Sequence, residues 1–186
     1  GYSSDVAAGD WYVESGAFDY VVIREIMGNY SGTNLFGPYD TITRAQVATI
    51  LWRLAGSPAS SISQPFSDAD PNEYYYKALC WAKEIGVSTG YSGTDFFGPN
   101  DPVTREQLAT LFARYASVVD GRDTSSDCAA MNSKNGADEV SDYAREAMGW
   151  AVDTGLITGV NGTDLEPGGT AWRASMAEMV KRYSSL

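Results

Sequence analysis

The chain has 186 residues, 44% of them hydrophobic and 20% charged, and its formal net charge is −11. This length allows one core but not two ordinary domains, and no apolar run is long enough to span a membrane. The acidic balance argues against nucleic acid or an anionic membrane as a partner, and the absence of histidine removes the commonest general base and metal ligand.

One segment occurs three times along the chain, and in each copy an arginine follows a proline by six residues. Repetition at this period predicts three copies of one supersecondary unit. We assign the repeats to residues 1–57, 65–119 and 133–186. The prolines and arginines are Pro38 with Arg44, Pro99 with Arg105, and Pro167 with Arg173.

Each repeat is predicted to form two helices joined by a glycine-rich turn. The second helix is the clearer one, because its apolar residues recur at i, i+3, i+4 and i+7. Capping boxes are predicted for Thr43 with Gln46 and Thr104 with Gln107, whereas repeat three has Trp172 at this position. The stripes are Val47, Ile50, Leu51 and Leu54; Leu108, Leu111, Phe112 and Tyr115; and Met176, Met179, Val180 and Tyr183.

The turns cover residues 28–32, 89–93 and 158–162, and Gly90 and Gly159 occupy the same position in two of them. Repeat one has Asn29 there, and asparagine is the best non-glycine residue for left-handed backbone. We therefore predict a left-handed conformation at Asn29. Polar linkers are predicted at 56–64 and 119–138.

Helices with a single apolar stripe must bury it against each other. The sequence therefore predicts an all-α fold in which three helix-turn-helix repeats close into a pseudo-threefold prism. The second helices would form a central three-helix bundle, with the first helices outside, giving a compact monomeric pseudo-trimer. Cys80 and Cys128 have no metal-type spacing, and either free thiols or a single bridge would fit them.

No nucleophile–base pair or repeated carboxylate pair is visible, so we predict that the chain is not an enzyme and uses no cofactor. The acidic turn at 68–73 lacks the central glycine and terminal glutamate of a calcium loop, and helix capping explains it better than a metal site does.

Six arginines occupy two repeated positions. Arg44, Arg105 and Arg173 begin the second helices, where a guanidinium and the first-turn N–H groups together suit an anion. A salt bridge to an aspartate of a neighbouring repeat is the alternative. Arg53, Arg114 and Arg182 lie in the last turn, where a cation complements the helix dipole, and are interpreted as structural. Tyr20, Trp81 and Trp150 would serve either packing between repeats or stacking against a sugar.

These motifs resemble the S-layer homology family in three tandem copies. The resemblance rests on Phe36-Gly37-Pro38 with residues 42–53, on Phe66 and Asp68 before Tyr74, and on Asp5 before Trp11. It implies a threefold prism that anchors a surface protein non-covalently to the bacterial cell wall. The implied ligand is an anionic secondary cell-wall polysaccharide, commonly carrying pyruvylated N-acetylmannosamine, bound in grooves between the repeats.

Transferred by motif, the implied anion-binding residues are Arg44, Arg105 and Arg173. Asp5 with Trp11 and Asp68 with Tyr74 would be their partners, and Gly90 would let the backbone approach a sugar. Repeat three departs from the pattern, because Gly136 replaces the aspartate. The alternative function is a structural module that forms a surface lattice and has no sugar site of its own.

Overall fold

The computed structural model describes residues 2–186, so residue 1, where the predicted first repeat begins, lies outside the described residues. Residues 2–186 form eight α-helices and two 3-10 helices without a β-strand, which confirms the all-α prediction. The α-helices are α1 Trp11–Glu14, α2 Ala17–Ile23, α3 Arg44–Leu54, α4 Tyr76–Ile85, α5 Arg105–Asp120, α6 Ala129–Asn132, α7 Arg145–Asp153 and α8 Arg173–Tyr183. The 3-10 helices are Ala137–Glu139 and Asp142–Ala144.

No helix within residues 2–186 combines the length and the apolar character needed to cross a membrane.

The second helices of the repeats are α3, α5 and α8, and each buries its apolar stripe in the main core. Both predicted capping boxes are confirmed, since Thr43 and Thr104 each accept from the backbone of the glutamine three residues on. The N-cap of α8 is Trp172, whose side chain makes no capping bond.

The first helices are α2, α4 and α7. Gly16, with φ of 82°, separates α1 from α2, which explains why the helical pattern of repeat one is interrupted there. The prediction for Asn29 is wrong: Gly90 and Gly159 have positive φ, but Asn29 does not. The Asn29 side chain accepts a hydrogen bond from Ser3 Oγ and donates one to Asn34 Oδ1.

Helix pairs form between repeats rather than within them. The second helix of repeat one, α3, packs against α4 of repeat two, and α5 of repeat two packs against α7 of repeat three. The helix α8 of repeat three packs back against α2 of repeat one. The repeats therefore contact one another in a closed cycle, while the central bundle of second helices stays a prediction.

A ring of backbone hydrogen bonds joins the three segments that precede the second helices. The Ile42 amide donates to Ala171 O at 2.9 Å, the Ala171 amide to Val103 O at 2.9 Å, and the Val103 amide to Ile42 O at 3.1 Å. All three residues are buried, so each bond also satisfies polar groups that water cannot reach.

The linkers differ in structure. The first is tied to α3 by a bond from Trp52 Nε1 to Pro58 O. The second contains the short helix α6, whose Met131 is fully buried, so this linker is not polar throughout. Cys80 and Cys128 are both free thiols, and burial raises the pKa of Cys80.

Shortening a buried side chain on any second helix should destabilise the whole fold. We expect Leu51→Ala, Leu111→Ala and Met179→Ala each to lower the free energy of unfolding by roughly 2–5 kcal/mol, because each leaves a cavity. Urea unfolding would measure this, with Ile23→Ala as control because Ile23 is 74% exposed. Equal stability of core and control variants would contradict the burial pattern.

Candidate functional site

The arginines that begin the second helices cross the seams between repeats. Arg44 Nε donates to Phe97 O at 2.6 Å, Arg105 Nε to Leu165 O at 2.8 Å, and Arg173 Nε to Phe36 O at 2.8 Å. Each bond therefore runs from one repeat to the next, and the third closes the cycle. The salt-bridge alternative is wrong for the described chain: the ion pairs within residues 2–186 are Lys83–Asp95 and Arg182–Glu178.

Two of these arginines are almost completely buried and lie against tyrosine rings. Arg44 is 7% exposed with its guanidinium carbon 4.3 Å from the Tyr91 ring centroid, and Arg173 is 6% exposed and 4.7 Å from that of Tyr30. Burial lowers the pKa of Arg44, Arg105 and Arg173. Neither guanidinium forms an ion pair within residues 2–186, although the carboxylates of Asp101 and Asp40 partly offset the effect of burial on the pKa of Arg44 and Arg173.

The aspartates of the motif hold the segment that receives the arginine. Asp5 accepts from the amides of Phe36 at 2.9 Å and Gly37 at 2.8 Å. Asp68 accepts in the same way from Phe97 and Gly98, at 2.9 Å each. In repeat three, Gly136 supplies no carboxylate, and Glu166 stands at the Gly37 position with φ of 45°.

The tyrosine in the glycine-rich turn of repeats one and two donates a hydrogen bond to a second acidic residue. Tyr30 donates to Asp40 and Tyr91 to Asp101, both at 2.6 Å. Burial, followed by the bond to Asp40, raises the pKa of Tyr30 to about 12. Repeat three has Val160 in place of the tyrosine, so Arg105, which crosses to this repeat, has no turn ring to lie against.

A cavity of about 360 Å³, the first groove, lies where all three repeats meet. Arg173 of repeat three forms one side, the turn and α3 of repeat one form the floor, and Tyr74 of repeat two forms the opposite side. Its other lining residues are Met27, Gly28, Asn29, Tyr30, Ser31, Gln46, Thr49, Ile50 and Arg53.

The third groove is the equivalent cavity of about 470 Å³ built on the turn and α8 of repeat three, with Arg105 on one side and Trp11 on the other. The second groove, a cavity of about 300 Å³ beside α5, is lined by Thr110, Arg114 and Tyr143. The equivalent arginine, Arg44, lies outside the lining of the second groove.

The structure brings some of the predicted residues to the grooves and places others behind them. Trp11 and Tyr74 are exposed lining residues, with Arg105 and Arg173 opposite them. Asp5 and Asp68 lie behind, with their carboxylates occupied by backbone amides. Gly90 is required by packing, because a Cβ there would lie 2.6 Å from Phe96 O.

Sequence reasoning missed four lining residues. Tyr143 is exposed at the position of Trp11 and Tyr74, but an insertion of one residue after Gly136 hides its register. Arg53, Arg114 and Arg182 line the three grooves, although the helix-dipole argument treated them as structural. Their repetition at one position was the signal that could have identified them.

The S-layer homology domain model matches residues 4–48 and 65–109. The chain belongs to the S-layer homology domain family. The matched residues lie in the first two repeats, and the third takes part in the same cycle of contacts. Membership assigns the chain to the cell surface, in association with the cell wall, as a non-catalytic anchoring module.

Similar proteins share this region as a small part of a longer chain. The sequence is 28% identical to an endoglucanase of Bacillus sp. (strain KSM-635) over 95% of this chain, and 31% identical to the surface-layer 125 kDa protein of Lysinibacillus sphaericus over 84%. It is 23% identical to an S-layer protein of Bacillus thuringiensis subsp. finitimus over 96%. The chain spans 18%, 13% and 21% of these three relatives' lengths.

Removing the Asp68 carboxylate should destabilise the protein. Asp68→Ala leaves two backbone amides without their charged acceptor, and we expect a loss of about 2–4 kcal/mol in the free energy of unfolding. The control is Asp19→Ala, on an exposed position of α2. Urea unfolding would compare the two, and equal stability would contradict the structural role.

Alkaline pH should destabilise the parent more than Tyr30→Phe. Because the pKa of Tyr30 is raised to about 12 from an ordinary 10.0, the folded state holds this proton more tightly than the unfolded state. Its contribution to stability is complete below about pH 10 and is lost as the pH rises towards about 12. Urea unfolding at about pH 9 and about pH 11 should show the smaller decline for Tyr30→Phe, and equal declines would refute this.

Proposed function

We propose that this module anchors a surface protein non-covalently by binding an anionic secondary cell-wall polysaccharide, with the acidic group of one sugar held in the first groove. One observation carries the proposal: Arg53 and Arg173 line this groove and no carboxylate does, in a protein of net charge −11. A local cationic site in an acidic protein is suited to a specific anion rather than to a diffuse polyanion.

The donors that would hold the anion are all short-range. Arg173 uses Nε on Phe36 O and Nη2 on Gly28 O, which fixes its plane and leaves Nη1 for a ligand. The amides of Gly28, Asn29 and Ser31 donate to no protein acceptor within residues 2–186. Arg53 reaches towards the same turn, with Nη1 3.4 Å from Ile26 O. Together these groups can surround a carboxylate.

Tyr74 supplies the apolar contact that a sugar needs. It is 57% exposed and lies across the groove from α3, so its ring can cover one face of a pyranose. A sugar that carries a pyruvate ketal presents a ring face and a carboxylate together, which matches the aromatic and cationic sides of the groove. We therefore include a pyruvylated sugar in the proposal.

The grooves would not be equivalent. The second groove keeps Arg114 and Tyr143, but Glu146 also lines it. The third groove contains two glutamates. We expect the first groove to be the strongest anion site.

Binding to purified wall polysaccharide would test the proposal by isothermal titration. Because Arg173 also holds a seam, the informative variants are Arg53→Gln, Tyr74→Ala and the charge-preserving Arg173→Lys. Loss of one charge-assisted bond should weaken binding about ten- to a hundredfold. Lysine at 173 should retain only part of the affinity, because it cannot form the planar fork.

The matched control is Arg24→Gln, which removes the same charge from an exposed arginine that lines none of the three grooves. It should bind like the parent. If Arg53→Gln and Tyr74→Ala fold normally and also bind like the parent, the first groove is not the site. A surface-lattice module with no sugar site would then explain the arginines as seam contacts.

A further inference from the structure

Among the differences between the first and third grooves, four change the charge or the aromatic pattern. Two exchanges add carboxylates: Glu178 replaces Thr49, and Glu166 replaces Gly37. The other two change the aromatic pattern, since Val160 replaces Tyr30 and Trp172 replaces Thr43. These exchanges fall on one cavity, so they alter a single site rather than scattered surface.

Glu178 is the most informative of the four. It lines the third groove although it is only 6% exposed, and its nearest cation is Arg182 Nε at 3.6 Å. Within residues 2–186 its carboxylate accepts no hydrogen bond. The threonine at the same position in repeat one is satisfied inside its own helix, because Thr49 Oγ1 donates to Ala45 O at 2.8 Å. The Glu178 carboxylate reaches solvent through the cavity, so its spare acceptor capacity is open to water or to the hydroxyls of a ligand.

The side chains that line the third groove carry two positive and two negative charges, whereas those that line the first groove carry positive charges alone. Arg105 and Arg182 line the third groove together with Glu166 and Glu178, whereas Arg53 and Arg173 line the first without an acid. A ligand carboxylate in the third groove would be repelled by two fixed carboxylates within one cavity. An uncharged ligand with several hydroxyl donors would not be repelled by these carboxylates.

Two tryptophans give this groove an apolar surface. Trp11 of repeat one is 42% exposed and Trp172 of repeat three is 44% exposed, and both line the cavity. The Trp172 ring is supported from behind by Tyr39, with centroids 5.3 Å apart in an edge-to-face arrangement. An exposed indole ring can stack on the apolar face of a pyranose. The neighbouring Glu178 carboxylate can accept hydrogen bonds from the hydroxyls at the edge of the same sugar.

We propose that the third groove binds an uncharged pyranose unit, stacked on Trp11 or Trp172 with its hydroxyls donating to Glu178. This deepens the proposed function and rests on it, because the unit would belong to the same wall polysaccharide. The module would then bind two chemically different sugars of one polymer, the acidic sugar in the first groove and the neutral sugar in the third.

The experiment uses the intact protein and two forms of the wall polysaccharide from the bacterium that makes it. One form is native, and in the other the carboxylates have been chemically reduced to alcohols. Trp172→Ala and Glu178→Thr test the third groove, the latter introducing the residue that the other repeats carry. Tyr74→Ala tests the first groove, and circular dichroism checks that each variant is folded.

We expect the parent to bind the reduced polymer more weakly than the native one but measurably. Trp172→Ala should weaken binding of the reduced polymer about tenfold, and Glu178→Thr ten- to a hundredfold, whereas Arg24→Gln, outside all three grooves, should have little effect on it. On native polymer, Tyr74→Ala should cause the larger loss.

The outcomes separate the two proposals. No binding of reduced polymer by the parent, or unchanged binding by folded Trp172→Ala and Glu178→Thr, would overturn the inference about the third groove. Native polymer binding that depends on Tyr74 would still support the proposed function. Failure of the parent to bind native polymer would overturn the proposed function itself.

Discussion

The ring of hydrogen bonds among Ile42, Val103 and Ala171 is the constraint on which the rest of the structure depends. It joins the segments that precede the three second helices, and each second helix packs against the first helix of the following repeat. No repeat buries its own apolar stripe alone. Stability is therefore a property of the closed cycle, unlike that of an open array whose end repeats have only one neighbour.

The same closure creates the grooves. Arg173 crosses a seam to reach the Phe36 carbonyl and also lines the first groove, beside the turn of the next repeat. Under the proposed function, the same guanidinium would serve both folding and ligand binding. The aspartates behind the seam, such as Asp68, contribute by fixing the carbonyl that orients the arginine. Differences between grooves then come from the residues around this common frame.

Much of the fold was predictable from local pattern. Apolar spacing located α3, α5 and α8, and hydroxyl–glutamine spacing located two capping boxes. The hydrogen-bond partners of the arginines were not predictable. The sequence alone does not show that Arg44 donates to a carbonyl of the next repeat rather than to a carboxylate. The contact between Asn29 and Ser3, 26 residues away, was likewise not visible in the sequence. Among the residues of the candidate site, the arginines at the seams and two aromatic residues were predictable from the sequence. Tyr143 and Arg53 could be identified only from the cavity that the folded chain forms.

The first groove joins the two ends of the module. Its Arg173 lies 137 residues beyond Phe36, whose carbonyl it holds, so the groove is assembled only after the last repeat has docked on the first. A chain cut before this residue retains two repeats but has no such groove. Any ligand held there favours the docked state by mass action. Under the proposed function, attachment through the first groove would therefore require the third repeat to have docked on the first.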